Sequence, residues 1–278
     1  MIRRIFHQNW VWIVAVYGIL LFELIIIGLL PYLLGKAVDA VLAEEYRDFW
    51  LYLAALIIGL IVGVSRRAFD TRAFMKVWCN AAIETVRKLV DSGMKTTTII
   101  NRSDLVYRYV GFFENTIPRT THCFVDIIIS LIMIWIVIPW TGCAVTGLTV
   151  ITITTSYYLA CWEKRVDVRI QASREKINHA IEHKRDANIK TGYHELRKHQ
   201  VRLSDIDSIN WGIVDVAEVT SKVLIIFALA QQGHTVGTIM ATITYGLRLF
   251  MKIGMLTYSF MEIKEIEVAN DLTQGAVQ

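Results

Sequence analysis

The chain has 278 residues, 54% of them hydrophobic, only three prolines and a mean hydropathy of +0.44, which excludes an ordinary soluble globular domain. Its formal net charge of +4 comes from basic residues that fall between apolar runs, and no basic patch is interleaved with base-stacking aromatics, so nucleic acid is not an expected partner. Cys79, Cys123, Cys143 and Cys161 stand far apart with no CxxC pair and read as small apolar packing residues.

The N-terminus, Met-Ile-Arg-Arg-Ile-Phe-His-Gln-Asn, is charged like the start of a signal sequence. The apolar run behind it is too long for a signal peptide and no small-x-small cleavage site follows, so it reads as a retained first helix. Six apolar spans can be drawn, at about 10–34, 49–69, 122–138, 141–162, 209–230 and 236–260. Each approaches the roughly 20 residues that a helix rising about 1.5 Å per residue needs to cross a hydrocarbon core of about 30 Å. Trp10, Trp12, Trp50, Trp140 and Trp162 fall near span ends, where an aromatic belt meets the headgroups.

The connections alternate in charge. The first short one holds Glu44, Glu45 and Asp48 with only Lys36 and Arg47 nearby, and the turns at 139–142 and 231–235 carry no Lys or Arg. Nearly all other basic residues lie at the opposite ends, so the positive-inside rule predicts both termini in the cytoplasm. The intervening segments, about 70–119 and 163–208, are too long for loops and poor in helix breakers, which predicts two helical hairpins continuing past the membrane. From Phe49 to about Met94 there is no proline, and a helix of that length reaches about 70 Å. Glu163, Lys164, Arg165, Arg169, Arg174, Glu175 and Lys176 give the second hairpin a solvated surface. The expected fold is all-α, a single transmembrane domain over residues 1–278.

Ionisable residues at membrane depth cost several kcal/mol and normally face a cavity or a partner. Glu23, Asp126, Glu218, Lys222, Arg248 and Lys252 all lie roughly 15 to 25 Å along their helices, counted from the span ends. Glu218 and Lys222 stand at i and i+4, so mutual neutralisation is the plain reading. Arg248 and Lys252 repeat that spacing with like charges, so their face repels itself unless Asp126, Asp215 or an anionic solute lies opposite. Glu23 sits among Ile, Leu and Phe with no base on its own helix; it reads as a neutral or hydrogen-bonded packing residue, a carboxylic acid that exchanges protons as a cavity alternates between two aqueous sides, or a substrate contact.

Weaker patterns are discounted. His179-Ala180-Ile181-Glu182-His183 matches the HxxEH zinc-peptidase pattern but lies in a charged hairpin without an identified third ligand, so no metal or cofactor is expected. Asn101-Arg102-Ser103 fits a glycosylation sequon on the predicted cytoplasmic side. Lys184, Arg185, Lys190, Arg197, Lys198 and Arg202 read as a solvated face that could also touch anionic lipid or an acidic partner.

Short connections on one side, two long hairpins on the other, and three strings form a pattern. The strings are Leu30-Pro31-Tyr32-Leu33-Leu34-Gly35-Lys36-Ala37-Val38-Asp39, Ser103-Asp104-Leu105-Val106-Tyr107-Arg108 and Gly233-His234-Thr235-Val236-Gly237-Thr238. In that order and spacing they resemble the six-helix membrane domain of ABC exporters, of the type IV kind. The resemblance implies a homodimer around a central cavity, with the fourth and fifth helices packed on the partner, in a bacterial inner membrane.

Exporters of this family usually continue into a nucleotide-binding domain, whereas this sequence ends at Val277-Gln278 and contains no GxxxxGK[ST]. The chain alone is therefore not expected to act as an ATPase. Two readings stay open. A gradient-driven, proton-coupled carrier of a peptide-like or small amphipathic solute is similar to the bacterial peptide-uptake proteins that share this membrane domain. Alternatively, a separate ATPase subunit docks on short coupling helices at the hairpin tips, near Met94 to Ser103 and Lys190 to His199.

Overall fold

A computed structural model describes the backbone of residues 2–91, 93, 110–182 and 186–275 and, within 10–262, most of the side chains. Helix α1 (Ile2–Leu42) is followed by α2 (Arg47–Asp91), a five-residue π turn (Phe112–Thr116), α3 (Ile117–Val137), α4 (Pro139–Glu182), α5 (Asp186–Gln231) and α6 (Val236–Gly275). There is no strand among the described residues. The fold is that of an all-α polytopic membrane protein.

Five of the six helices are long and apolar enough to cross a membrane, over Ile13–Leu42, Arg47–Asp91, Phe112–Val137, Pro139–Asn178 and Val236–Phe260. The exception is α5, whose apolar stretch at 209–230 carries Asp215, Glu218 and Lys222. Helices α2, α4 and α5 have 45, 44 and 46 residues, about 66 to 69 Å at the helical rise, twice what a bilayer core accommodates. Each is thus longer than a bilayer core requires, as the lengths of unbroken sequence predict.

The tip of the second hairpin differs from the expectation. Lys190 to His199 lie inside α5, which already begins at Asp186, rather than on a short separate helix. The segment Met94 to Ser103, the string Ser103 to Arg108, the sequon at Asn101, Lys184 and Arg185, and the side chains of His179, Glu182 and His183 all lie outside the described residues.

Helix boundaries follow local chemistry. Between α3 and α4 the helix is interrupted at Ile138 alone, at φ −136° and ψ 78°. The residue before a proline is pushed out of the α region, and Pro139 then starts α4 at the position where a missing N–H costs nothing. Helix α6 is capped by Thr235, whose hydroxyl accepts the Thr238 N–H at 3.3 Å. The principal core joins α3, α5 and α6 through Ile134, Ile225, Leu249, Phe250, Ile253 and Leu256, while Val16, Phe74 and Val77 form a second cluster between α1 and α2.

Two of the strings that carry the resemblance meet in space. The Asp39 carboxylate, from α1, accepts the Thr235 hydroxyl at 2.6 Å and the Gly237 N–H at 2.8 Å, placing a negative charge on the positive end of the α6 dipole. One turn away, α1 and α6 touch backbone to backbone at Gly35 and Gly237, where a methyl group on either residue would run into the carbonyl of the other. Gly237→Ala is expected to lower stability by about 1–3 kcal/mol, since neither backbone can yield without parting the helices. Thermal unfolding in detergent measures this. Gly147→Ala, at an exposed α4 position with open space around it, is the control that leaves the midpoint unchanged or raises it.

Candidate functional site

The intramembrane charges gather into three groups. The largest lies between α3 and α6. Asp126, only 1% exposed, accepts a hydrogen bond from Arg248 Nη2 at 2.7 Å through Oδ1. Its Oδ2 lies 3.3 Å from Lys252 Nζ and 3.2 Å from His122 Nδ1. Helical spacing assembles the group from both sides: His122 and Asp126 are one turn apart on α3, and Arg248 and Lys252 one turn apart on α6. The like charges of α6 are thus held together by the carboxylate opposite them.

Charge in this group does not balance. One carboxylate faces two permanent cations, which leaves one positive charge with a neutral imidazole and two with an imidazolium. His122 Nδ1 also lies 3.1 Å from Lys252 Nζ. A bare nitrogen there accepts from the ammonium, whereas a protonated one donates to Asp126, so a single proton decides which neighbour the ring binds. The His122, Arg248 and Lys252 side chains keep 28%, 19% and 18% exposure, so this surplus charge is within reach of a solute, while Asp126 is sealed behind it.

Glu23 belongs to a second group and is not alone. Arg66 of α2 donates to it through Nε and to Asp70 through Nη1, so one guanidinium bridges two buried carboxylates. Gly63 makes room: a Cβ there would lie 2.8 Å from Glu23 Oε1. The unpaired carboxylic acid expected from the local sequence is therefore an ion-paired one, because its base arrives from the next helix. Nearby, the Tyr17 hydroxyl donates to the Phe113 carbonyl at 2.9 Å, tying α1 to the π turn.

The third group is the Glu218 and Lys222 ion pair, made within α5. Asp215 is exposed on the same helix and joins none of the other groups.

Sequence reasoning missed His122, Arg66 and Tyr245. The i, i+4 pairing of His122 with Asp126 was available as a signal, whereas Arg66 sits at a predicted span edge and Tyr245 reads as an ordinary buried aromatic. Tyr245 has a specific place: its hydroxyl donates to the Gly28 carbonyl at 3.0 Å and accepts the Tyr32 N–H at 3.2 Å.

Removing Asp126 leaves two cations facing each other at membrane depth, so Asp126→Asn should cost about 3–5 kcal/mol of stability. Adding Lys252→Gln removes one of those cations. The double variant should therefore unfold at a higher temperature than Asp126→Asn alone, as read by thermal denaturation in detergent.

Residues 2–239, which make up 238 of the 278 positions, match the ABC transporter transmembrane region. The match takes in Asp126 and Glu23 and stops short of Tyr245, Arg248 and Lys252. A comparison with curated proteins gave no match. Matched over most of its length, and built from long apolar helices, the chain belongs to the ABC transporter transmembrane region family and is a multi-pass membrane domain of a transporter.

Proposed function

We propose that the chain carries a peptide-like or small amphipathic solute across a bacterial cytoplasmic membrane by alternating access, as a homodimer driven by a proton gradient. The observation that carries this reading is the Asp126 group. A surplus positive charge at membrane depth costs several kcal/mol unless an anion offsets it, and a carboxylate on the solute is suited to Lys252 and His122. The alternative partners of His122 Nδ1 give a proton somewhere to act, because loading or unloading it changes the charge presented to the solute.

A homodimer is supported by α5. It turns Asp215 outward among exposed Val216, Val219, Val223 and Phe227, and a carboxylate on an apolar helix face at membrane depth calls for protein or a water-filled cavity against it. Placing both termini in the cytoplasm rests on the distribution of Lys and Arg.

The alternative is the membrane subunit of a split transporter energised by a separate ATPase chain. The length of α4 and α5 favours it, since their shared tip stands far enough from the bilayer to meet such a subunit.

Purified protein in liposomes separates the two. With a pH gradient imposed and no nucleotide, offering acidic peptides and small amphiphiles should produce solute-dependent proton movement. Silence, followed by activity only when an ATPase subunit and ATP are added, would establish the split transporter. In the gradient-driven case His122→Gln should abolish coupled proton movement, and Glu23→Gln decides whether the Arg66 group also takes part: unchanged uptake removes Glu23 from the mechanism.

A further inference from the structure

Helix α1 is bound to two different neighbours along its length. Its first half is tied to α2 by the Glu23 and Arg66 ion pair and to the π turn by Tyr17. Its second half is tied to α6 by Asp39 and by the Gly35 and Gly237 contact. Between these halves stands Pro31, the proline inside α1.

A proline lacks the N–H that would bond to the carbonyl four residues earlier, so Pro31 leaves Ile27 C=O without its rung. In hydrocarbon such a carbonyl must find another donor. Arg248 Nη1 supplies it at 2.8 Å, from α6. The next rung would run from the Tyr32 N–H to Gly28 C=O; here the Tyr32 N–H donates to the Tyr245 hydroxyl, which in turn donates to Gly28 C=O, again from α6. Two successive rungs of α1 are therefore completed by side chains of another helix. Arg248 does so with one end of a guanidinium whose other end is held by Asp126.

We propose that Pro31 is a joint between an α2-bound and an α6-bound half of α1, and that Tyr245 and Arg248 are the positioning residues that hold it straight, with Asp126 holding Arg248 in place. Anything that draws Arg248 away from Ile27 C=O, or Asp126 away from Arg248, frees the joint. The first half of α1 then moves with α2 while the second stays on α6. The charge group between α3 and α6 thereby governs the shape of a helix to which Asp126 makes no hydrogen bond.

Backbone hydrogen exchange of the full chain in lipid nanodiscs, read by mass spectrometry over residues 28–36, tests this without any transport measurement, so its failure is separate from failure of the transport reading. Tyr245→Phe keeps the ring and removes the hydroxyl; Asp126→Asn removes the charge that holds Arg248 and so loosens it. Each should speed exchange over 28–36 by about tenfold more than over α2, the loss of roughly one charged or buried hydrogen bond beyond any change shared by the whole chain. Pro31→Ala restores the missing N–H to Ile27 C=O. In that background the effect of Asp126→Asn should shrink below about twofold. Exchange over 28–36 that is unchanged in both single variants, or that rises equally in every helix, overturns the proposal. So does an Asp126→Asn effect of the same size with and without Pro31.

Discussion

Arg248 stands where three helices meet, and its guanidinium satisfies one need on each of two of them: a carbonyl of α1 that has lost its rung to Pro31, and a carboxylate of α3. In water either group would be served by solvent. In hydrocarbon neither is, and the apolar surfaces of helices give little reason to prefer one another over lipid. What specifies this arrangement of helices is consequently a small set of polar bonds and close backbone contacts. The Arg248 bonds, the Tyr245 bridge, the Asp39 cap and the Gly35 and Gly237 contact lie along one seam between α1 and α6. The buried aliphatic residues of α3, α5 and α6 then fill the shape that the seam imposes.

Much of this was legible in the sequence for simple reasons. A run of apolar residues without proline has one fate in a bilayer, so helix number and length follow from hydropathy and breaker positions. Arg248 and Lys252 announced a counter-charge because like charges one turn apart on a buried helix are not stable alone, and Asp126 provides it. The partner of Glu23 was not legible. Arg66 is 43 residues away, and only the pairing of α1 with α2 brings it near. Tyr245 was silent because its role depends on a defect in another helix, a relation that no local pattern records. The short coupling helix expected at Lys190 to His199 was misjudged, since a charged helix looks alike along its whole length and these residues carry no breaker that would end the long helix containing them.

Function divides along the same line. The long apolar helices and the match to the ABC transporter transmembrane region are properties of the scaffold. The Asp126, Arg248, Lys252 and His122 group lies half within the match and half on the part of α6 beyond it. Family membership thus accounts for the container, and the solute and the energy source are to be sought in the charges placed inside it. The exposed Asp215 of α5 extends that argument outward, toward whatever surface the helix meets.

The seam between α1 and α6 also bears on how the chain is made. Its bonds connect residues 196 to 221 positions apart, so a ribosome releases α1 into the bilayer long before α6 exists. During that interval the Ile27 carbonyl has no donor, and Asp39 has no helix end to cap. The nascent first helix is therefore an incomplete object that must be sheltered by insertion machinery or stay near the lipid headgroups. Synthesis of the sixth helix is the event that lets it settle. A ribosome stalled before Tyr245 would hold inserted helices but no closed bundle, which makes this interval the point at which quality-control proteases have most to recognise.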